Sequence, residues 1–204
     1  VCEHLAANIS AQAPASWMTG FRAAEAAAAA EQPASAEGRL FSILCDTLPE
    51  GSQLFCGNSL PIRDLAAWSG SGNRRLTIHA NRGASGIDGN IATAAGIAES
   101  TPTVAVIGDL TAQHDLGSLV LMRERPLVVI VINNGGGGIF DHLPPARLPE
   151  YETGWRTPQR LHFDHAAATF GLPYLATENP EAAAAAARDR LGTRSSLLIE
   201  LTVG

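Results

Sequence analysis

Two short stretches of this chain carry side chains suited to holding a hard cation and an anion together. One is Gly108-Asp109-Leu110-Thr111, and the other is Asn133-Asn134 followed by Gly135-Gly136-Gly137-Gly138. Asp109 offers a carboxylate and Asn134 an amide oxygen. The glycine run lets a backbone carbonyl, that of Gly136, turn toward the same point. Three oxygen donors of this kind suit Mg²⁺, which takes oxygen at about 2.0–2.1 Å and often shares its shell with phosphate and water. A helix opening near Leu110 would aim free N–H groups at the same place, where an anionic diphosphate is favoured. Taken singly, each stretch has a plain structural reading: Asp109 as a helix cap, Asn-Gly as a turn. Their occurrence together, each directly after a strongly apolar run, is much more specific.

Two further stretches bring cationic and polar groups. Asn81-Arg82-Gly83-Ala84-Ser85-Gly86-Ile87-Asp88-Gly89 reads as a glycine-rich turn carrying an arginine. It lacks the Gly-x-Gly-x-x-Gly spacing of a dinucleotide turn. Gly57-Asn58-Ser59-Leu60-Pro61-Ile62-Arg63 follows a short apolar run. Arg82 could be a solvated loop charge and Arg63 an exposed helix charge; either could instead grip a carboxylate bidentately. His114, Asp115, His162 and His165 are expected at the surface or in helix packing and capping, not as acids, bases or ligands.

The elements that must position these residues alternate. Helices are expected over 21–32, 39–48, 59–68, 87–99, 111–123, 162–170 and 180–191. Strands are expected over 53–56, 76–79, 103–107, 127–132, 174–176 and 196–201. Residues 135–160 read as a Pro-rich loop. Thr103–Ile107 (TVAVI) and Leu127–Ile132 (LVVIVI) are apolar on both faces. Such strands, each followed by a helix, predict a doubly wound α/β fold, a parallel sheet flanked by helices. In that architecture ligands gather at the carboxyl ends of strands near the topological switch point, where the two metal-type stretches fall. The break at Pro33–Gly38 divides the chain into residues 1–37, the tail of a preceding domain with a linker helix, and residues 38–204, the binding domain.

The bulk properties narrow the setting. Of 204 residues, 46% are hydrophobic and 17% charged, enough for a sizeable core and against disorder. A net charge of −6 disfavours broad contact with nucleic acid. Cys2, Cys45 and Cys56 are too sparse for a disulfide framework and fit reduced thiols in a cytoplasmic protein. No apolar run reaches the roughly 20 residues of a membrane span. The chain starts with Val1 and has no signal pattern, so it is expected to begin inside a longer protein.

Gly108-Asp109, then 24 residues, then Asn134 preceded by Asn133, resembles the thiamine-diphosphate (ThDP) signature of the pyruvate decarboxylase and acetohydroxyacid synthase superfamily. The NRGASGIDG stretch, Asn133–Phe140, the His162–Ala168 run and the Gly57–Arg63 segment resemble, in the same order, the 2-succinyl-5-enolpyruvyl-6-hydroxy-3-cyclohexene-1-carboxylate synthase family within it. The resemblance runs over residues 39–204. It implies Asp109, Asn134 and the Gly136 carbonyl as ligands of Mg²⁺, or of Mn²⁺ in its place. It implies Gly108, Asp109, Leu110, Thr111, Ser85, Gly86, Ile87 and Asn134 as cofactor-binding, with Ile87 the apolar wedge under a bent ThDP. It places Asn58, Ser59, Arg63, Arg82, Ile139, Phe140 and Leu143 against substrate, with the two arginines and Ser59 at the distal carboxylate of 2-oxoglutarate.

The implied reaction decarboxylates 2-oxoglutarate and adds the remaining four-carbon unit to isochorismate in menaquinone biosynthesis. The activating glutamate of this superfamily comes from an N-terminal pyrimidine-binding domain of another subunit, so no catalytic acid or base is assigned here. A homodimer or homotetramer is expected, and the chain alone is expected to be an inactive half-site. The rival readings are another ThDP enzyme, of the acetohydroxyacid synthase or 2-oxoacid decarboxylase type, and a non-catalytic nucleotide-binding α/β domain.

Overall fold

The computed structural model describes residues 14–31, 35–70, 74–83 and 86–204. The chain divides into two compact units, Val1–Ala34 and Ser35–Gly204. In the first unit, helix α1 (Ala15–Glu31) carries alanine, glutamate and arginine, which favour helix. Its aromatic residues, Trp17 and Phe21, meet edge to face at 4.7 Å. Of the expected break at Pro33–Gly38, Pro33 and Ala34 fall outside the described residues, whereas Ser35 caps a helix that already begins at Ala36, its side chain accepting the Gly38 N–H at 3.1 Å, so the break ends earlier than expected.

The second unit is a six-stranded sheet, all parallel, in the order β2-β1-β3-β4-β6-β5. The strands are β1 (Gln53–Cys56), β2 (Thr77–His79), β3 (Thr103–Gly108), β4 (Leu127–Asn133), β5 (Tyr174–Thr177) and β6 (Leu197–Thr202). Strand β1 leads outward to β2, whereas β3 leads the other way to β4. The switch point therefore lies between β1 and β3, the crevice where a doubly wound sheet binds its ligand. The helices are α2 (Ala36–Thr47), α3 (Leu60–Trp68), α4 (Asn90–Ile97), α5 (Asp109–His114), α6 (Phe163–Phe170) and α7 (Pro180–Gly192).

Alternation along the strands divides the core into two layers. Leu54, Val104, Val106, Val128 and Ile130 pack on α2, α3 and α7 through Leu40, Phe41, Leu44, Leu65 and Ala187. Phe55, Ala105, Ile107, Val129 and Val131 face the opposite layer, with Ile91, Ala94, Met122 and Phe163. Both faces are dry, as the unbroken apolar runs required. Cys45 and Cys56 are free and buried; Cys2 lies outside the described residues. Among the described residues, no helix is long and apolar enough to cross a membrane.

One expected element is corrected. The helix read over 111–123 is two pieces: α5 stops at His114, and Leu116–Glu124 continues as a tighter 3-10 helix. Asp115 marks the change. Its Oδ2 accepts the Ala92 N–H at 2.9 Å and its Oδ1 accepts the Ser118 hydroxyl at 2.5 Å. The residue preceding α4 is Gly89, which has no side chain to cap the helix, so Asp115 caps it from another element. Asp115→Ala should therefore cost about 1 kcal/mol, the usual worth of an N-terminal cap. Urea unfolding checks this; Ser118→Ala should cost less, because the Ala92 contact survives.

Candidate functional site

The loops after β1, β3 and β4 meet around one cavity of about 210 Å³. Gly57 brings the first loop close to β3. Its N–H donates to the Val106 carbonyl at 2.8 Å, and a Cβ there would stand 3.1 Å from Ile107. Ser59 then takes φ +73°, a conformation that side chains other than glycine rarely adopt and that costs of order 1–3 kcal/mol. It precedes α3, which Pro61 opens at the first turn. The Asn58 amide donates to the Gly86 carbonyl at 2.5 Å, and the Asn90 amide to the Ile87 carbonyl at 2.7 Å. These two bonds pin the loop that presents Ile87 to the cavity.

At the end of β3, Asp109 is 2% exposed and lines the cavity. Its Oδ1 accepts the Leu110 N–H at 2.7 Å, and its Oδ2 accepts the Gly136 N–H at 2.9 Å. Burial pushes its carboxyl above the ordinary carboxylate range, opposed by backbone N–H groups of Leu110, Gly136, Gly135 and Asn134. A cation at these oxygens would reverse that upward push. The helix it opens, α5, spans only six residues, so local N–H groups matter here more than a long dipole.

At the end of β4 the two asparagines divide their work. Asn133 is structural: its amide donates to Glu200 at 2.6 Å, its Oδ1 accepts the Gly135 N–H at 3.1 Å, and Glu200 also takes the Tyr174 hydroxyl. Asn134 faces the cavity, and its Oδ1 is buried with no hydrogen-bond partner. Leaving such an acceptor unpaired costs about 1–3 kcal/mol, so the atom fits a ligand position. The Gly136 carbonyl accepts the Gly138 N–H at 2.9 Å and retains a second lone pair. A Cβ on Gly138 would lie 2.6 Å from the Asn134 amide nitrogen, so the glycine seats that side chain. Asp109, Asn134 and Gly136 thus line one cavity and offer hard oxygen donors whose chemistry fits a divalent cation.

The other residues singled out by sequence divide. Asn58, Ser59, Ile87, Gly108, Leu110 and Thr111 line the cavity, as do Ile139 and Phe140. Arg63, Arg82 and Leu143 are exposed and do not line it; the Arg63 guanidinium donates back to the Ser59 carbonyl at 2.6 Å. Gly86 is exposed beside Ile87, and Ser85 lies outside the described residues. His114 is exposed. His162 and His165 are exposed and stack on each other at 5.1 Å, where packing or capping was expected.

Sequence reading missed Glu37 and Asp64, which also line the cavity. Burial holds the Asp64 carboxyl up at about 6, with the Glu37 charge adding and His142 opposing. The folded form thus binds this proton more tightly than the unfolded chain, whose carboxyl titrates near 3.8. Stability should fall as pH rises from about 4 to about 6. Asp64→Asn should flatten that window, which denaturant midpoints measured from pH 4 to pH 7 would show.

The parallel sheet and the cavity at its switch-point crevice define a doubly wound α/β domain with a ligand site at its strand ends. Residues 65–201 match the family model "Thiamine pyrophosphate enzyme, C-terminal TPP binding domain", and the chain belongs to that family. It is 55% identical over 160 residues, 78% of its length, to 2-succinyl-5-enolpyruvyl-6-hydroxy-3-cyclohexene-1-carboxylate synthase from Dechloromonas aromatica (strain RCB). It is 43% identical over 160 residues, 76% of its length, to the protein of the same name from Roseiflexus sp. (strain RS-1). The chain spans 30% and 27% of these two relatives. Its fold also matches benzoylformate decarboxylase from Polynucleobacter necessarius, with TM-score 0.67 at 15% identity, over 81% of this chain and 32% of that one.

Proposed function

We propose that this chain is the ThDP- and Mg²⁺-holding part of a synthase that decarboxylates 2-oxoglutarate and joins the four-carbon remainder to isochorismate. The observation that carries the metal site is Asn134 Oδ1, buried and unpartnered on the cavity that also holds the buried Asp109. Asp109, Asn134 and the Gly136 carbonyl hold Mg²⁺, or Mn²⁺ in its place. Gly108, Leu110, Thr111, Ser85 and Gly86 border the diphosphate, and Ile87 supports the bent cofactor. Asn58, Ser59, Ile139 and Phe140 form the substrate side with Arg63, Arg82 and Leu143. The two arginines reach the distal carboxylate of 2-oxoglutarate once substrate draws their flexible side chains inward. When bound, ThDP supplies the nucleophilic carbon and the electron sink for decarboxylation. The chain's own residues hold, orient and keep water from that chemistry.

The substrate pair is supported by the name carried by the relatives at 55% and 43% identity. The first unit, residues 1–34, is the tail of a preceding domain with its linker, and residues 35–204 form the binding domain, a boundary a few residues earlier than the expected one at 37/38. The activating carboxylate belongs to an N-terminal pyrimidine-binding domain of another subunit in a cytoplasmic homodimer or homotetramer. The test is calorimetric titration of the full polypeptide with ThDP, with and without Mg²⁺, followed by turnover of 2-oxoglutarate or pyruvate with isochorismate. ThDP binding that ignores Mg²⁺ overturns the metal site. Turnover of pyruvate in preference to 2-oxoglutarate overturns the substrate assignment.

A further inference from the structure

The segment after the glycine run folds back across it. The Gly137 N–H donates to the Arg156 carbonyl at 2.7 Å, and the Gln159 N–H to the Gly135 carbonyl at 3.1 Å. The approach leaves no room for side chains. A Cβ on Gly136 would stand 2.6 Å from the Arg156 carbonyl oxygen, and one on Gly137 2.9 Å from that of Trp155. Phe140 and Trp155 close one side, edge to face at 5.5 Å.

The Arg156 side chain adds ties of its own. Its Nη1 donates to both Asp141 carboxylate oxygens, at 2.9 and 2.7 Å, and its Nη2 donates to the Asn134 carbonyl at 3.3 Å. The Tyr151 hydroxyl donates to the same Asp141 carboxylate. One planar guanidinium thus spans the peptide of Asn134 and the short turn Gly138–His142 that ends the glycine run. A lysine ammonium cannot make that reach from a rigid fork. The strap itself is irregular, a π-type turn over Glu152–Arg156 leaving Thr157 at φ +44°, so side-chain ties must hold its course.

Resting on the metal–diphosphate reading, we propose that Arg156 is a positioning residue for the cation site. It fixes the Asn134 peptide, and with it the unpartnered Oδ1, in the arrangement a divalent cation needs, and Asp141 holds Arg156 in place. Partners behind a metal ligand commonly account for about 10- to 100-fold in metal affinity. On that reading Gly108, Leu110, Thr111 and Ile87 also hold ThDP, so its own affinity at saturating metal should change little.

The experiment measures, in the full polypeptide, the Mg²⁺ concentration that half-saturates ThDP binding, and separately ThDP affinity at saturating Mg²⁺. Arg156→Leu should raise the Mg²⁺ half-saturation about 10-fold or more, while ThDP affinity at saturating Mg²⁺ stays within about threefold. Arg156→Lys should recover part of the loss, and Asp141→Asn should fall between Lys and Leu. Arg147→Leu, an exposed charge on the same segment, should leave both readings unchanged. If Arg156→Leu fails to fold, Arg156→Lys and Asp141→Asn carry the comparison. Mg²⁺ half-saturation within about twofold of the wild type in every folded variant overturns the proposal, as does an equal shift in Arg147→Leu. If the wild type itself binds ThDP without regard to Mg²⁺, the cation site is what fails.

Discussion

Asp109→Ala should abolish Mg²⁺-dependent ThDP binding at millimolar metal. The substitution removes the single negative charge among the three proposed oxygen donors. It also leaves the Gly136 N–H, bonded at 2.9 Å in the native chain, without its partner at the centre of the glycine run. Removing one partner of a buried charge pair costs about 3–5 kcal/mol, and roughly 1.4 kcal/mol corresponds to tenfold in binding. A loss of roughly 100- to 4,000-fold is therefore expected. Stability without ligand should change far less. Burial holds the Asp109 carboxyl above its ordinary range, so the empty fold disfavours its charged form. Removing that group offsets part of the lost hydrogen bonding. Calorimetry and a thermal melt of the same variant separate the two effects. Wild-type-like Mg²⁺-dependent binding would show that Asp109 is only a turn and cap residue.

Gly136→Ala should be the most damaging single substitution in the glycine run. Gly136 sits at φ +140°, where an L side chain is strained, and a Cβ would press to 2.6 Å on a backbone oxygen that cannot swing aside. Strain of about 1–3 kcal/mol and overpacking of about 1–3 kcal/mol act together, giving a loss of roughly 2–6 kcal/mol. Gly135→Ala is the internal control. Gly135 also has positive φ, +75°, yet open space where its Cβ would go, so only the left-handed penalty of about 1–2 kcal/mol applies. Chemical denaturation of the pair measures the difference. Equal losses would mean the strap yields and does not press on the run.

The strands were legible because burial on both faces leaves one kind of pattern. Val104, Ala105, Val106 and Ile107 are all fully buried, as are Leu127 through Val131. The oxygen donors were legible because a strand end is a fixed address in a doubly wound sheet. What escaped depends on partners distant in sequence. Asp115 looked like any acidic residue within a helix, and only its bond to Ala92, 23 positions back, explains why α5 ends early. The glycine run was read as freedom for a carbonyl to turn. It is equally a demand for thinness, set by Trp155 and Arg156, which arrive 19 to 20 residues later. Asp64 showed no sequence signal as a cavity carboxyl, since an Arg-Asp pair on a short helix reads as a solvated face. Arg63 and Arg82 read as carboxylate grips, while the fold leaves both in solvent.

The sheet order has a consequence for synthesis. Strand β6 is made after β1 to β5, yet it lies inside the sheet between β4 and β5. Until it emerges from the ribosome, one edge of β4, apolar along six consecutive residues, has nothing to pair with. An open apolar edge of this kind recruits other strands. Glu200, which holds the Asn133 amide, arrives on the same strand. The nascent chain therefore has an interval in which it is most prone to aggregate and its Asn133–Gly138 turn lacks an anchor, and the same few residues end both conditions together.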